Sequence, residues 1–96
     1  MSVRLIISLT AAPGKGGEFL QAMKARCDEV TSEPGCEQFE VFQSALDPDR
    51  LVLLELWADQ AALDAHAEVN KTRAPLPPGL RGPSAGREDY NYKPVR

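Results

Sequence analysis

At 96 residues the chain has room for one domain and not for two. Its 43% hydrophobic and 26% charged residues exclude the disordered and fibrous classes, and a formal net charge of -3 argues against a nucleic-acid surface, which needs clustered Lys and Arg. No apolar run approaches the roughly 18 residues of a membrane span, and the interrupted run 3–9 is too short for a signal peptide, so a cytoplasmic protein with no membrane partner is expected.

The first element is a strand over Val3–Thr10, where Val3, Leu5, Ile7 and Leu9 alternate with Arg4, Ile6, Ser8 and Thr10. One face is wholly apolar and the other mixed. Pro13-Gly14 ends it, and Gly16-Gly17 leads into a helix over residues 17–32. There Leu20, Met23, Cys27 and Val30 form a stripe widened by Phe19, which gives the helix one buried side. Cys27 on that stripe reads as a small hydrophobe. Cys27 and Cys36 match neither a CxxC pair nor a zinc cluster, and a single His cannot complete a metal site, so no metal is expected.

Pro34-Gly35 is a turn, because Pro presets the first corner and Gly accepts the positive φ of the second. A strand over 36–45, with Phe39 and Val41 alternating against Glu40 and Phe42, is joined through Asp47-Pro48-Asp49 to a second over Arg50–Trp57. The two read as an antiparallel hairpin. Asp59 is an N-cap for a helix over Gln60–Asn70, with Ala62, Leu63, His66 and Val69 on one face. Residues 74–86 hold four prolines and three glycines, which forbid regular helix or central strand. A loop of that length in a small domain is functional, a contact to a partner, or mobile. Residues 87–93 close as a strand in which Tyr90 and Tyr92 alternate with Asp89 and Asn91.

The order strand, helix, strand, strand, helix, strand is the α+β, ferredoxin-like split βαβ plan, with both helices on one face of a four-stranded antiparallel sheet. The other face, expected to carry residues of the Ile6, Phe42 or Leu53 type, then needs cover. A second copy, sheet against sheet, is the simplest cover and gives a homodimeric α/β barrel.

Pro34-Gly35-Cys36, the strand Phe39-Glu40-Val41-Phe42-Gln43-Ser44, the strand ending Glu55-Leu56-Trp57 and the helix carrying Ala65-His66 stand in order and at natural spacing. In this the chain resembles the antibiotic biosynthesis monooxygenase family over about residues 3–70. The Pro/Gly-rich loop departs from the longer second helix of many relatives. The resemblance implies homodimers, with a pocket between the open sheet face and the helices of each protomer. It also implies oxidation of an aromatic polyketide or quinol-type phenol by O2 with no metal, flavin or other cofactor. Other members of the scaffold isomerise or cyclise small molecules, degrade haem, or have no assigned reaction, and a non-catalytic dimeric ligand-binding protein is the alternative outside enzymology.

Oxygenation without a cofactor needs a base for an electron-rich phenol in a largely apolar pocket that keeps water out. Three residues are candidates for the chemistry: Trp57, Glu55 and His66. Trp57 is a pocket wall that stacks on a flat ligand, or a core side chain with its N–H satisfied. Glu55, on the same sheet face, is a base or acceptor with a pKa raised by burial, or a partner of Arg4, Arg50 or the second protomer. His66 has an ordinary pKa near neutrality and shares a helix face with Leu63 and Val69, as a pocket base or a satisfied core residue. For substrate binding the candidates are Arg4, as an oxyanion holder, Phe42 and Leu53 as apolar contacts, Asn70 and Arg73 at the pocket rim, and Tyr90 with Tyr92 along its wall or between subunits.

Overall fold

A computed structural model describes residues 1–83 and 86–91, with side chains described to Pro83 and at Gly86 and Arg87. The elements run β1 (Val3–Thr10), α1 (Gly16–Val30), β2 (Cys36–Gln43), β3 (Arg50–Trp57), α2 (Gln60–Asn70) and β4 (Gly86–Asn91). The four strands make one antiparallel sheet in the order β2-β3-β1-β4, the ferredoxin-like arrangement. β4 ends at Asn91, so Tyr92 and Lys93, expected in this strand, lie outside the described residues.

The core fills the helix-facing side of this sheet. Leu5 and Leu9 of β1, Phe39 of β2, and Leu51, Leu53 and Trp57 of β3 meet Phe19, Met23, Cys27 and Val30 of α1. Register places Ile7 opposite Leu53 and Leu53 opposite Val41. Leu53 therefore belongs to this covered face and not to the open one, a correction that follows from its phase with Leu51 and Trp57. The open face carries Ile6, Val52, Leu54 and Leu56, all half-buried, with Phe42 46% exposed.

α1 has no cap from its own Lys15. Its first turn is instead capped from the β2–β3 connection, where the Asp49 carboxylate accepts from the backbone N–H of Gly14 and Gly16, each at 2.9 Å. A Cβ on Gly16 would fall 1.9 Å from the Pro48 carbonyl oxygen, so this approach requires glycine. After α1, Cys36 N–H donates to Glu33 O across Pro34-Gly35, with Gly35 at φ +79. Gly35 sits against α2, and a Cβ there would lie 2.5 Å from Ala62 Cβ.

α2 begins as expected, with Asp59 Oδ1 accepting from Ala62 N–H at 2.8 Å. Only Leu63 and His66 of this helix are buried, and Val69, expected on the same face, is 44% exposed. The helix thus meets the sheet through about one turn and its end overhangs. The Pro/Gly-rich segment then folds back along α1. Arg26 Nη2 donates to Ala74 O at 2.8 Å, Leu80 is buried, and the segment bonds β1's exit through Ala12 N–H to Leu80 O and Gly82 N–H to Thr10 O. Among the described residues no helix is long and apolar enough to cross a membrane.

Candidate functional site

Strand alternation puts Glu55 and Trp57 side by side on the covered face. Both are buried, at 3% and 0% exposure. The Trp57 indole N–H donates to Glu55 Oε1 at 2.9 Å, which satisfies the tryptophan and gives the carboxylate a donor inside the core. Arg4, one of the partners expected for Glu55, donates to its backbone oxygen at 3.5 Å and to Gln38 Oε1 on the open face.

His66 projects from α2 onto this pair. Its ring stacks on Trp57 with centroids 4.7 Å apart and an interplanar angle of 30°. Phe39 closes the third side, tilted on His66 at 5.6 Å and edge-on to Trp57 at 6.4 Å. His66 Nδ1 lies 3.0 Å from Glu33 Oε1, and the other Glu33 oxygen accepts from Arg73 Nη2. Arg73 Nε also faces Glu29 at 3.4 Å. With Glu33 accepting from Arg73 on one oxygen, its other oxygen is the acceptor for the ring and Nδ1 is the donor. The Nε2 lone pair of a neutral ring is then left over. Nε2 has no partner among the described residues and is not sealed from solvent.

A cleft of about 250 Å³ opens beside this histidine, between α2 and the covered face. Leu5, Ile7 and Leu63 supply its apolar wall, and Glu55, His66, Asn70 and Arg87 supply polar groups. It lies under α2, where the overhanging helix leaves the sheet uncovered.

The structure thus gathers Trp57, Glu55, His66 and Asn70 at one place, with Leu53 in the core nearby. It separates Arg4 and Phe42 from them by the thickness of the sheet. Phe42 borders instead a groove of about 600 Å³ with Ser8, Thr10, Leu46 and Val52. Arg73 turns toward Glu33 and does not line the cleft. Tyr90 pairs through its backbone with Arg4, and its side chain lies outside the described residues.

Glu33 was not singled out by pattern. It stands on no periodic face, and only its place immediately before Pro34-Gly35 marks it. Neither thiol is poised for nucleophilic work. Burial raises Cys27 to about 11, and burial followed by the charge of Glu33 raises Cys36. Among the described residues no cluster of His, Cys, Asp and Glu suited to a metal ion is found.

Comparison with known proteins gives a consistent picture. The family model described as "Antibiotic biosynthesis monooxygenase" matches residues 2–74. The Bacillus subtilis protein named "Putative monooxygenase YcnE" is 32% identical over 57 residues, covering 59% of this chain and 60% of that protein. Synechocystis sll1783, an uncharacterized protein, is 27% identical over 62 residues, 65% of this chain and 42% of that one. The chain thus spans about half the length of the curated relatives it matches. Among solved structures, Rv0793 from Mycobacterium tuberculosis superposes with a TM-score of 0.77 at 24% identity, covering 98% of this chain and 97% of that one. A conserved protein from Methanosarcina mazei superposes at 0.74 with 26% identity, covering 97% and 94%.

Proposed function

This chain belongs to the antibiotic biosynthesis monooxygenase family, and on that premise we propose that it oxidises a small phenol or quinol with O2, without metal or flavin, in the cleft beneath α2. The observation that carries this reading is His66. Its Nδ1 is tied to Glu33, its ring is stacked on Trp57, and its Nε2 is left over beside a cleft lined by Leu5, Ile7 and Leu63 together with polar side chains.

In this mechanism Nε2 removes the phenolic proton. A ring carbon ortho or para to the phenolate oxygen that still bears hydrogen gives its electrons to O2, and the peroxide formed there takes the proton back from the imidazolium. Loss of the C–H proton at that carbon, with cleavage of the O–O bond, releases water and leaves the quinone, a hydroxyquinone where the substrate is a quinol. One phenol and one O2 give one quinone and one water, so no outside reductant is needed. Asn70 and Arg87, which border the cleft, are placed to hold the oxygen that gains negative charge. Pockets for drug-sized ligands run to about 300–1,000 Å³. The smaller volume here favours a one- or two-ring phenol over a fused polyketide of three rings.

The open sheet face supports a homodimer. Ile6, Val52, Leu54 and Leu56 form a contiguous half-buried apolar surface that a second copy would cover. The cytoplasm suits a chain whose two cysteines are both free.

The test is oxygen uptake with naphthol- and hydroquinone-type substrates. One O2 consumed per quinone without peroxide release is expected, with activity lost in His66→Gln. No uptake by the wild type with any of them sinks the oxygenase reading. A second reading, a non-catalytic binding protein, draws on the complete burial of Trp57 and the small cleft. Quenching of the single tryptophan by naphthols without oxygen uptake would favour it.

A further inference from the structure

Arg73 is the first residue of the long segment after α2 whose side chain turns inward. Its guanidinium is about as buried as the carboxylate it meets, with side-chain exposures of 15% for Arg73 and 11% for Glu33. One face of it is spent on Glu33 and another on Glu29. Nη1 is buried with no partner among the described residues. An arginine that leaves a donor unmatched is not arranged for the largest number of hydrogen bonds. Its placement makes sense as a fixed positive charge behind Glu33, and Glu33 in turn bonds the one histidine of the chain.

We propose that Arg73 is a positioning residue: by holding the Glu33 carboxylate in place, it fixes His66 in the Nδ1–H tautomer and leaves the Nε2 lone pair free to act as a base. The inference rests on the reading of His66 as the base. An imidazole in water prefers the opposite tautomer, with Nε2 protonated and useless as a base, so an ordering group is required. Glu33 supplies the acceptor, and Arg73, bonded to its other oxygen, keeps that acceptor from swinging out to water.

The position of Arg73 in the chain adds a second consequence. The next residue, Ala74, is pinned to α1 by Arg26 at 2.8 Å, and the segment beyond is anchored through Leu80 and Gly82 to the end of β1. The Pro/Gly-rich segment, none of whose described residues lines the cleft, thereby reaches the site through Arg73. Other charges also face His66 or share its cleft: Glu55 from β3, Asp64 from α2 and Arg87 from β4. These stay in place when Arg73 is changed, so a difference between variants reports Arg73 alone.

Because His66 is the only histidine, the nitrogen shifts of uniformly labelled full-length protein read its tautomer without overlap. In the wild type at pH 8, Nδ1 is expected to be the protonated nitrogen. Arg73→Met should move the population several-fold toward Nε2–H, since the acceptor at Nδ1 is no longer held in place. Arg73→Lys should restore most of the wild-type population. Where Arg73→Met does not fold, Arg73→Gln, which keeps a donor but no charge, takes its place with the same expected direction.

An unchanged tautomer in the uncharged variant overturns the proposal, as does failure of Arg73→Lys to restore it. In oxygen uptake, a roughly tenfold fall in kcat with KM within twofold fits positioning. A raised KM with unchanged kcat would make Arg73 a ligand contact and also overturn it. If the wild type consumes no oxygen, the oxygenase reading fails while the nitrogen shifts still decide the role of Arg73.

Discussion

The two faces of the sheet are built from the same strands, residue by residue, yet they do different work. Leu5 is 1% exposed on the covered face, and Ile6, its neighbour in sequence, is half-buried on the open one. On β3 the same step separates Glu55 and Trp57 from Leu54 and Leu56. The covered face is the apolar core yet holds the ionisable Glu55, met by His66 of α2 among aromatics, while the open face sets the aliphatic patch Ile6, Val52, Leu54 and Leu56 beside Arg4 and Gln38. A buried polar group lies where the fold supplies a partner, and the half-buried aliphatic patch lies where a second surface can be added.

The sharpest way to break this comparison is Trp57→Ala. It should cost about 3–5 kcal/mol, from the cavity left and from the Glu55 carboxylate losing its indole donor. Urea denaturation followed by circular dichroism measures it, and a loss below about 1 kcal/mol would mean that the covered face is not the core. Next in size is Gly35→Ala, which forces a Cβ at φ +79 to within 2.5 Å of Ala62 Cβ. A loss of about 1–3 kcal/mol is expected, read in the same denaturation curves.

On the open face, Leu54→Asp should change the stability of the fold itself by less than about 1 kcal/mol, because that side chain meets no helix. Its effect should appear in association. Light scattering on eluting protein should show the wild type at twice the chain mass and the variant at one. Equal masses would remove the second copy from the open face.

The smallest effect concerns Cys27. With its thiol raised from 9.0 to about 11 by burial on the covered face, roughly one molecule in a thousand carries the thiolate at pH 8. Alkylation by iodoacetamide should therefore be slow until urea opens the core. The folded thiol holds its proton to higher pH than the unfolded one. Stability is thus untouched below pH 9 and falls as pH rises from 9 toward 11, because only the unfolded chain ionises in that window. A flat stability across that window would place Cys27 in solvent.

Much of the fold was legible because its signals are local. The α1 stripe, the alternation of β3, the Asp59 cap and the Pro34-Gly35 turn are each written within a few residues, and each appears where expected. The site was legible in part. Glu55, Trp57 and His66 converge as their phases require, whereas Arg4 and Phe42 lie across the sheet from them. Leu53, expected on the open face, is on the covered one by its phase with Leu51 and Trp57 and its register with Ile7 and Val41.

Three features come from contacts distant in the chain, for which no local period exists. Asp49 caps a helix that begins 33 residues earlier. Glu33, ending the turn of α1, meets His66 across another 33 residues and Arg73 across 40. The Pro/Gly-rich segment is tied to the end of β1 by backbone bonds that depend on no side-chain type, and to α1 by the Arg26 side chain on the Ala74 carbonyl. The amino-acid sequence by itself determined the six elements and their order, since periodicity and turn chemistry act within one or two turns of chain. The tertiary structure alone decided which carboxylate orients the histidine, because a buried charge is placed by whichever partner the fold brings to it.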